Sequence, residues 1–260
     1  MIGVYDSGAG GLSVWKELVA MMPDEDYIYV GDNAWCPYGE KPVEIIIERA
    51  EAITLFLNGK GADIIVIACN TATAAAISHL RRKYSQIQFV GIEPAIKPAA
   101  LESRTGVVGV LATANTLKAE KYHRTLNRFA SGVKVIERVG EGLVEAVESG
   151  RDARKALLRC ITPMIEEGAD AIVLGCTHYP FLSEQIKAIS GPAVRIIDPA
   201  PAVALRTKSI LEMMPPSPRK DKSSGKSVFF TTGTYDSVKR LSLKIKPDLP
   251  ENSWKGFERI

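Results

Sequence analysis

The chain has 260 residues, 46% of them hydrophobic and 24% charged, with a formal net charge of +3. That is an ordinary globular composition, with enough chain for one large domain or two small ones. So small a charge without a clustered basic face excludes a nucleic-acid partner, and no apolar run approaches the ~20 residues of a membrane span.

Four scattered cysteines do not make a disulfide framework. Met1 leads straight into a strand-like segment without a basic flank or cleavage site, so the expected compartment is the cytoplasm. In chain order, residues 2–5 read as a buried strand, followed by a glycine-rich turn and a helix over 12–21. A second strand, 27–30, ends at Gly31 and Asp32. The loop Trp35-Cys36-Pro37-Tyr38-Gly39 leads to a helix over 43–58, a strand over 63–68, a helix after Cys69 and a strand over 89–92. Pro94 and Pro98 then interrupt the pattern and mark a domain crossing. The second half brings a strand over 106–111, a helix over 116–129, a strand over 133–137 and helices over 143–148 and 153–167. A strand over 169–174, a helix after Cys176, a strand over 194–197 and a helix over 202–214 follow. The basic stretch 218–226 reads as a solvated loop, and 228–231 and 235–245 as a last strand and helix.

Continuous apolar, β-branched strands alternating with helices predict an α/β fold of parallel sheets covered on both faces. The pattern also repeats. GADIIVIACNTATAAAI, from Gly61, and GADAIVLGCTHYPFLSEQI, from Gly168, each run Gly-Ala-Asp, apolar strand, Cys and polar turn. IGVYDSGAGGLSVWKEL and VGVLATANTLKAEKY repeat at nearly the same offset. The expectation is two similar lobes related by a pseudo-twofold axis, with a site in the cleft between them. The first lobe would hold residues 1–93 plus 211–260, because the last strand and helix have no counterpart in the second half. The second would hold 94–210.

In such folds ligands bind beyond the carboxyl ends of the strands. There this chain gathers Asp6-Ser7, Asp32-Asn33, Cys69-Asn70-Thr71, Thr113, Thr116 and Cys176-Thr177-His178. Helix starts at those ends suit an anionic ligand, and the same positive end is expected to lower a thiol's pKa. Cys69 and Cys176, 107 positions apart, thus stand where two acid/base groups would face one another across a substrate. The bland alternative is that both are small buried hydrophobes. A dinucleotide loop at Asp6–Gly11 fails because Ser13 stands where the last glycine belongs. Cys176 and His178 alone do not make a zinc site, and a Cys-His hydrolase would leave Cys69 unexplained. His79, His123, Cys36 and Cys160 read as surface or structural residues.

Taken together, DSGAGGLSV (6–14), PYG (37–39), ACNTATA (68–74), EPAIKPA (93–99), VGVLAT (108–113) and LGCTHYPFL (174–182) resemble the glutamate racemases, of the aspartate/glutamate racemase superfamily. The resemblance implies a cofactor-independent, metal-free enzyme that interconverts L- and D-glutamate and supplies D-glutamate for peptidoglycan. It assigns Cys69 to the D-enantiomer and Cys176 to the L-enantiomer, assisted by Asp6 and His178 respectively. It implies substrate contacts from Asp6, Ser7, Pro37, Tyr38, Gly39, Asn70, Thr71, Thr116, Thr177 and His178. A homodimer is the candidate assembly. Trp35-Cys36 departs from the family's Ala-Arg-like context, and Glu148, only roughly matched to a family glutamate, receives no role. The chain opens directly at its first strand, so activation by a cell-wall nucleotide precursor is not expected. An aspartate racemase and a non-catalytic amino-acid-binding protein are the competing readings.

Overall fold

A computed structural model describes residues 1–215 and 224–255; the basic stretch read as a solvated loop lies outside them up to residue 223. Two parallel sheets form its frame. The first contains β1 (Ile2–Asp6), β2 (Tyr27–Gly31), β3 (Ile64–Ile67), β4 (Gln88–Gly91), β9 (Ser227–Thr231) and β10 (Trp254–Lys255), in the order β10-β9-β2-β1-β3-β4. The second contains β5 (Val107–Ala112), β6 (Lys134–Val139), β7 (Ala171–Gly175) and β8 (Arg195–Ile197), in the order β6-β5-β7-β8. The order β2-β1-β3-β4 therefore recurs in the second sheet, as the repeated sequence blocks require. Register aligns the strand ends: Asp6 lies opposite Gly31, Tyr5 opposite Ile67, and Ala112 opposite Gly175. Central strands such as β3 and β7 are buried along their whole length, which is why they read as unbroken apolar runs rather than alternating ones.

The added strand β9 pairs with β2, and its Phe229 ring meets Trp15 of α1 (Leu12–Met21) edge-on at 5.1 Å. Both side chains are fully buried. At ~25 cal/mol per Å2, each such aromatic contributes a few kcal/mol of apolar burial, so the C-terminal segment is tied firmly into the first lobe. Helix α10 (Ala200–Met213) packs against α1, β3 and β4. The expected boundary at residue 210 therefore falls inside a helix whose apolar face covers the first sheet, and we place the return crossing near residue 199.

Several local expectations shift. Residues 96–102 form a helix, α4 (Ile96–Glu102), despite Pro98, because a first-turn proline lacks only an N–H that would have no helical partner. The helix expected over 116–129 is two: α5 (Ala114–Lys118) and α6 (Glu120–Phe129), parted by Ala119 in extended conformation. After Cys176 comes a tight 3-10 turn (Tyr179–Leu182), and the regular helix, α9, begins only at Ser183. Among the described residues no helix is long and apolar enough to cross a membrane.

Candidate active site

Asp6, at the end of β1, has no exposed surface. One carboxylate oxygen accepts the Gly8 backbone N–H at 3.0 Å and the other accepts the Thr177 hydroxyl at 2.9 Å. Burial nonetheless pushes the Asp6 carboxyl up, against the opposing pull of His178 and these hydrogen bonds. Thr177 belongs to the second lobe, and its carbonyl also accepts the Ser13 hydroxyl at 3.0 Å. The loops after β1 and β7 are therefore interlocked.

Cys69 caps α3 (Asn70–Lys83). Its sulfur accepts the Ala72 N–H at 3.4 Å and lies 3.8 Å from the Ser7 hydroxyl. A helix N-terminus favours a thiolate, which suggested a lowered pKa. The structure corrects that expectation. Burial, followed by the charge of Asp6, pushes the Cys69 thiol up to about 12, outweighing the help from Ala72 and Ser7. Removing water costs the charged form more than one backbone dipole returns.

Cys176 is also buried and free, but its partner is an imidazole. Its Sγ lies 3.7 Å from His178 Nδ1, and His178 Nε2 lies 2.7 Å from Glu148 Oε1. Burial opposes a charge on His178, yet the hydrogen bonds and charges of Cys176 and Glu148 carry its pKa well above the usual histidine range. Burial likewise pushes Glu148 up, but its bond to His178 and the Ala9 N–H hold it down, to about 2. The two form an ion pair. Glu148 sits in the last turn of α7 (Leu143–Ser149), which ends at Gly150 in the left-handed region at φ 74°. Arg240, from α11 (Asp236–Ile245), donates to the carbonyls of Val147 and Glu148 at 2.7 and 2.8 Å. Asn33 Nδ2 donates to Glu148 Oε2 at 3.2 Å and Ala9 N to Oε1 at 2.6 Å. A second-lobe carboxylate is thus held largely by first-lobe groups.

The remaining walls come from both lobes. Thr71 Oγ1 lies 2.9 Å from Thr113 Oγ1 and 3.3 Å from Thr116 Oγ1. Asn115 Nδ2 donates to the carbonyls of Tyr38 and Lys41 at 3.0 and 2.9 Å, pinning the Pro37-Tyr38-Gly39 loop to α5. A β-carbon on Gly39 would meet Thr113 at 3.1 Å, so the pinning depends on glycine there. Tyr38 donates its hydroxyl to Asp32 at 2.5 Å, and Arg49 grips both oxygens of Asp32 at 2.9 and 3.0 Å. Asp32 is thus the anchor of the tyrosine loop. Asn70 is 3% exposed, and both polar atoms of its amide lack any partner. An unpaired buried amide costs about 1–3 kcal/mol, which marks a group aimed at a ligand rather than at the fold.

A sequence model of the Asp/Glu/hydantoin racemases matches residues 2–207. The chain belongs to this family. It is 44% identical to a glutamate racemase of Pseudomonas aeruginosa (strain UCBPP-PA14) over 247 residues, 92% of this chain and 91% of that one. It is 44% identical to a glutamate racemase of Roseiflexus sp. (strain RS-1) over 253 residues, 96% of this chain and 92% of that one. The crystal structure of Escherichia coli glutamate racemase, in complex with L-glutamate and the activator UDP-MurNAc-Ala, superposes with a TM-score of 0.85 at 34% identity, covering 94% of each chain.

For this family member, the structure brings Asp6, Ser7, Cys69, Asn70, Thr71, Thr116, Cys176, Thr177 and His178 to the paired strand ends, all of them buried. Pro37 lines a neighbouring groove on the Glu148 side. Glu148 was missed as a partner of His178. The signals were an acidic residue at the end of a predicted helix and its rough match to a family glutamate, with nothing in its spacing to join positions 148 and 178. Cys36, whose sequence context marks it as a surface or structural residue, lies 4.0 Å from Glu148.

Proposed function

We propose that this protein interconverts L- and D-glutamate through two thiols, without a cofactor. The observation that carries the reading is the pair of free, buried cysteines at equivalent ends of two repeated sheets. They are near enough that charge on Cys176 raises the Cys69 pKa. Racemisation takes a weakly acidic α-proton from one face and returns one to the other, so it needs a base and an acid on opposite sides of one carbon. In the L-to-D direction Cys176 is the thiolate base, and its own proton has passed to the His178–Glu148 pair. Cys69 then gives its thiol proton to the opposite face of the carbanion. In the D-to-L direction Cys69 must ionise first, with Asp6 as its buried proton partner.

Forming that thiolate alone costs roughly 5 kcal/mol at pH 8, at 1.36 kcal/mol per pKa unit from a value of about 12. The α-ammonium of a bound amino acid is the charge that offsets it, so the base is made only with substrate in place. Asn70, Thr71, Thr116 and Ser7 supply the polar contacts that hold the substrate. Its exclusion of aspartate is part of the proposal, as are provision of D-glutamate for peptidoglycan and a cytoplasmic location. The test is polarimetry on dialysed protein in chelator, with each enantiomer of glutamate and of aspartate. Glutamate should lose its optical rotation and aspartate should not. Unchanged rotation of glutamate, or a need for pyridoxal phosphate, would overturn the reading.

A further inference from the structure

Three side chains that no spacing in the sequence connects meet on the Nε2 side of His178. The Cys36 sulfur, a Glu148 carboxylate oxygen and a His178 ring nitrogen all lie within 4.8 Å of one another. Glu148 Oε1 is 2.7 Å from the imidazole nitrogen and 4.0 Å from the thiol. Residue 8 is what leaves this corner open. A β-carbon there would sit 2.2 Å from Glu148 Oε1 and 3.0 Å from Cys36 Sγ. On the outer side lies a groove of about 710 Å3, lined by Asn33, Cys36, Glu148, Ser237 and Arg240 among others, which gives the cluster a path to solvent.

One thiolate, one imidazole and one carboxylate form a donor set that a borderline-soft divalent ion accepts, in a four-coordinate geometry that leaves one position for water. Zinc bonds of about 2.3 Å to sulfur and about 2.0–2.1 Å to nitrogen and oxygen place the three donors roughly 3.3–3.7 Å apart. The present spacings reach that arrangement with movements of about an ångström. Charge is conserved as well. The metal-free cluster holds a neutral thiol, a carboxylate and an imidazolium; the loaded one holds a thiolate, a carboxylate, a neutral imidazole and Zn2+. Two protons leave to solvent for each dication bound.

We propose that Cys36, Glu148 and His178 form a zinc-binding site that switches the enzyme off. With Nε2 metallated and Glu148 coordinated, the Glu148–His178 hydrogen bond is broken and the imidazole beside Cys176 is held by the metal, so the reaction that uses that thiol stops. The inhibitory consequence rests on the racemase reading; the binding does not.

The test loads chelator-stripped protein with Co2+, a coloured stand-in for zinc, and measures Zn2+ affinity by competition with a chromophoric chelator. Wild type should bind one ion and show a thiolate-to-cobalt charge-transfer band in the near ultraviolet. Cys36→Ser and Cys36→Ala should lose the band and bind Zn2+ at least about tenfold more weakly, the scale at which even outer partners of bound zinc act. Cys69→Ser should keep both the band and the affinity. Metal-free Cys36→Ser should racemise glutamate and resist zinc concentrations that silence wild type. Absence of one-to-one binding overturns the site. So does a band that survives Cys36→Ser but vanishes in Cys69→Ser or Cys176→Ser, since the metal would then sit on the substrate thiols. Metal bound through Cys36 by a protein that racemises nothing would remove the racemase reading and leave the site standing.

Discussion

Cys69 and Cys176 end equivalent strands, yet their surroundings differ in kind. Cys69 sits in a buried pocket with a helix N-terminus, one hydroxyl and the buried acid Asp6. Cys176 sits beside an imidazole that is itself paired with a carboxylate. Backbone repetition puts the two thiols at equivalent strand ends, and under the two-base proposal their neighbours give them different routes for a proton. One half would keep its proton on sulfur until a substrate charge arrives. The other would use the His178–Glu148 pair beside the thiol as its relay. A reaction whose equilibrium constant is one does not demand equivalent bases, only that each base be regenerated by the other's step.

The comparison breaks most visibly if either thiol is removed. Cys69→Ala and Cys176→Ala should each lower racemisation by at least about 1,000-fold, within the range by which positioned acids and bases accelerate proton transfer. In deuterium oxide, residual α-exchange should favour L-glutamate in Cys69→Ala and D-glutamate in Cys176→Ala, because the surviving thiol reaches only its own face. Proton NMR of the α-position reads both. Wild-type racemisation by either variant would end the two-base assignment.

Glu148→Gln comes next, with an expected loss of about 100-fold in kcat/KM. Since the two enantiomers are equal in energy, kcat/KM must fall equally in both directions. The asymmetry should appear instead as a larger primary isotope effect with α-deuterated L-glutamate than with the D-form, because only the Cys176 step is slowed. Equal isotope effects would show that Glu148 serves both thiols alike.

The fold and the two cysteines were legible because they depend on local pattern: apolar runs of strand length, polar residues at their ends, and a repeat that sets equivalent positions 107 apart. What escaped depends on contacts between distant segments. The Glu148–His178 pair joins the last turn of α7 to the turn after β7, Asp32 accepts from Tyr38 and Arg49 alike, and Cys36 meets both members of the first pair; none of these leaves a periodic trace. The placement of α10 escaped for a related reason. Its apolar face says that it is covered, not by which sheet. The direction of the Cys69 shift was misjudged because a helix start is visible in sequence, whereas the depth of burial that opposes it is not.

The two halves should also fail at opposite ends of the pH scale. Glu148, held down to about 2 from 4.5, stabilises the fold above pH 4.5, and that contribution is lost as pH falls toward 2. His178, raised above 6.5, contributes fully below 6.5 and is lost as pH rises through its folded value. The pair is therefore at full strength between about pH 4.5 and 6.5. By linkage, taking Glu148 to pH 3 removes about 2 kcal/mol. The double variant Glu148→Gln, His178→Asn has neither titration. Its urea-unfolding free energy should fall by about that much less than wild type between pH 5.5 and pH 3. Parallel acid limbs would mean that the ion pair adds nothing to stability.

On the alkaline side the expected effect is smaller and belongs to Cys69. Its thiol titrates near 9.0 when unhindered and near 12 in the folded protein, so between those values the folded state holds a proton that the unfolded state has released. Stability from this group is complete below pH 9 and drains as pH rises. At pH 10 the loss amounts to about 1 kcal/mol by the same linkage. Several buried tyrosines are raised as well and steepen the same limb in any variant, so the informative quantity is a difference. Cys69→Ser keeps the volume and a hydroxyl donor but removes the titration, and the Ala72 N–H keeps an acceptor. Its stability should decline about 1 kcal/mol less than wild type between pH 8 and pH 10, measured by urea unfolding under reducing conditions. An alkaline limb left unchanged by Cys69→Ser would mean that the burial of Cys69 does not hold its proton in the folded state, and the distinction between the halves would then rest on geometry alone.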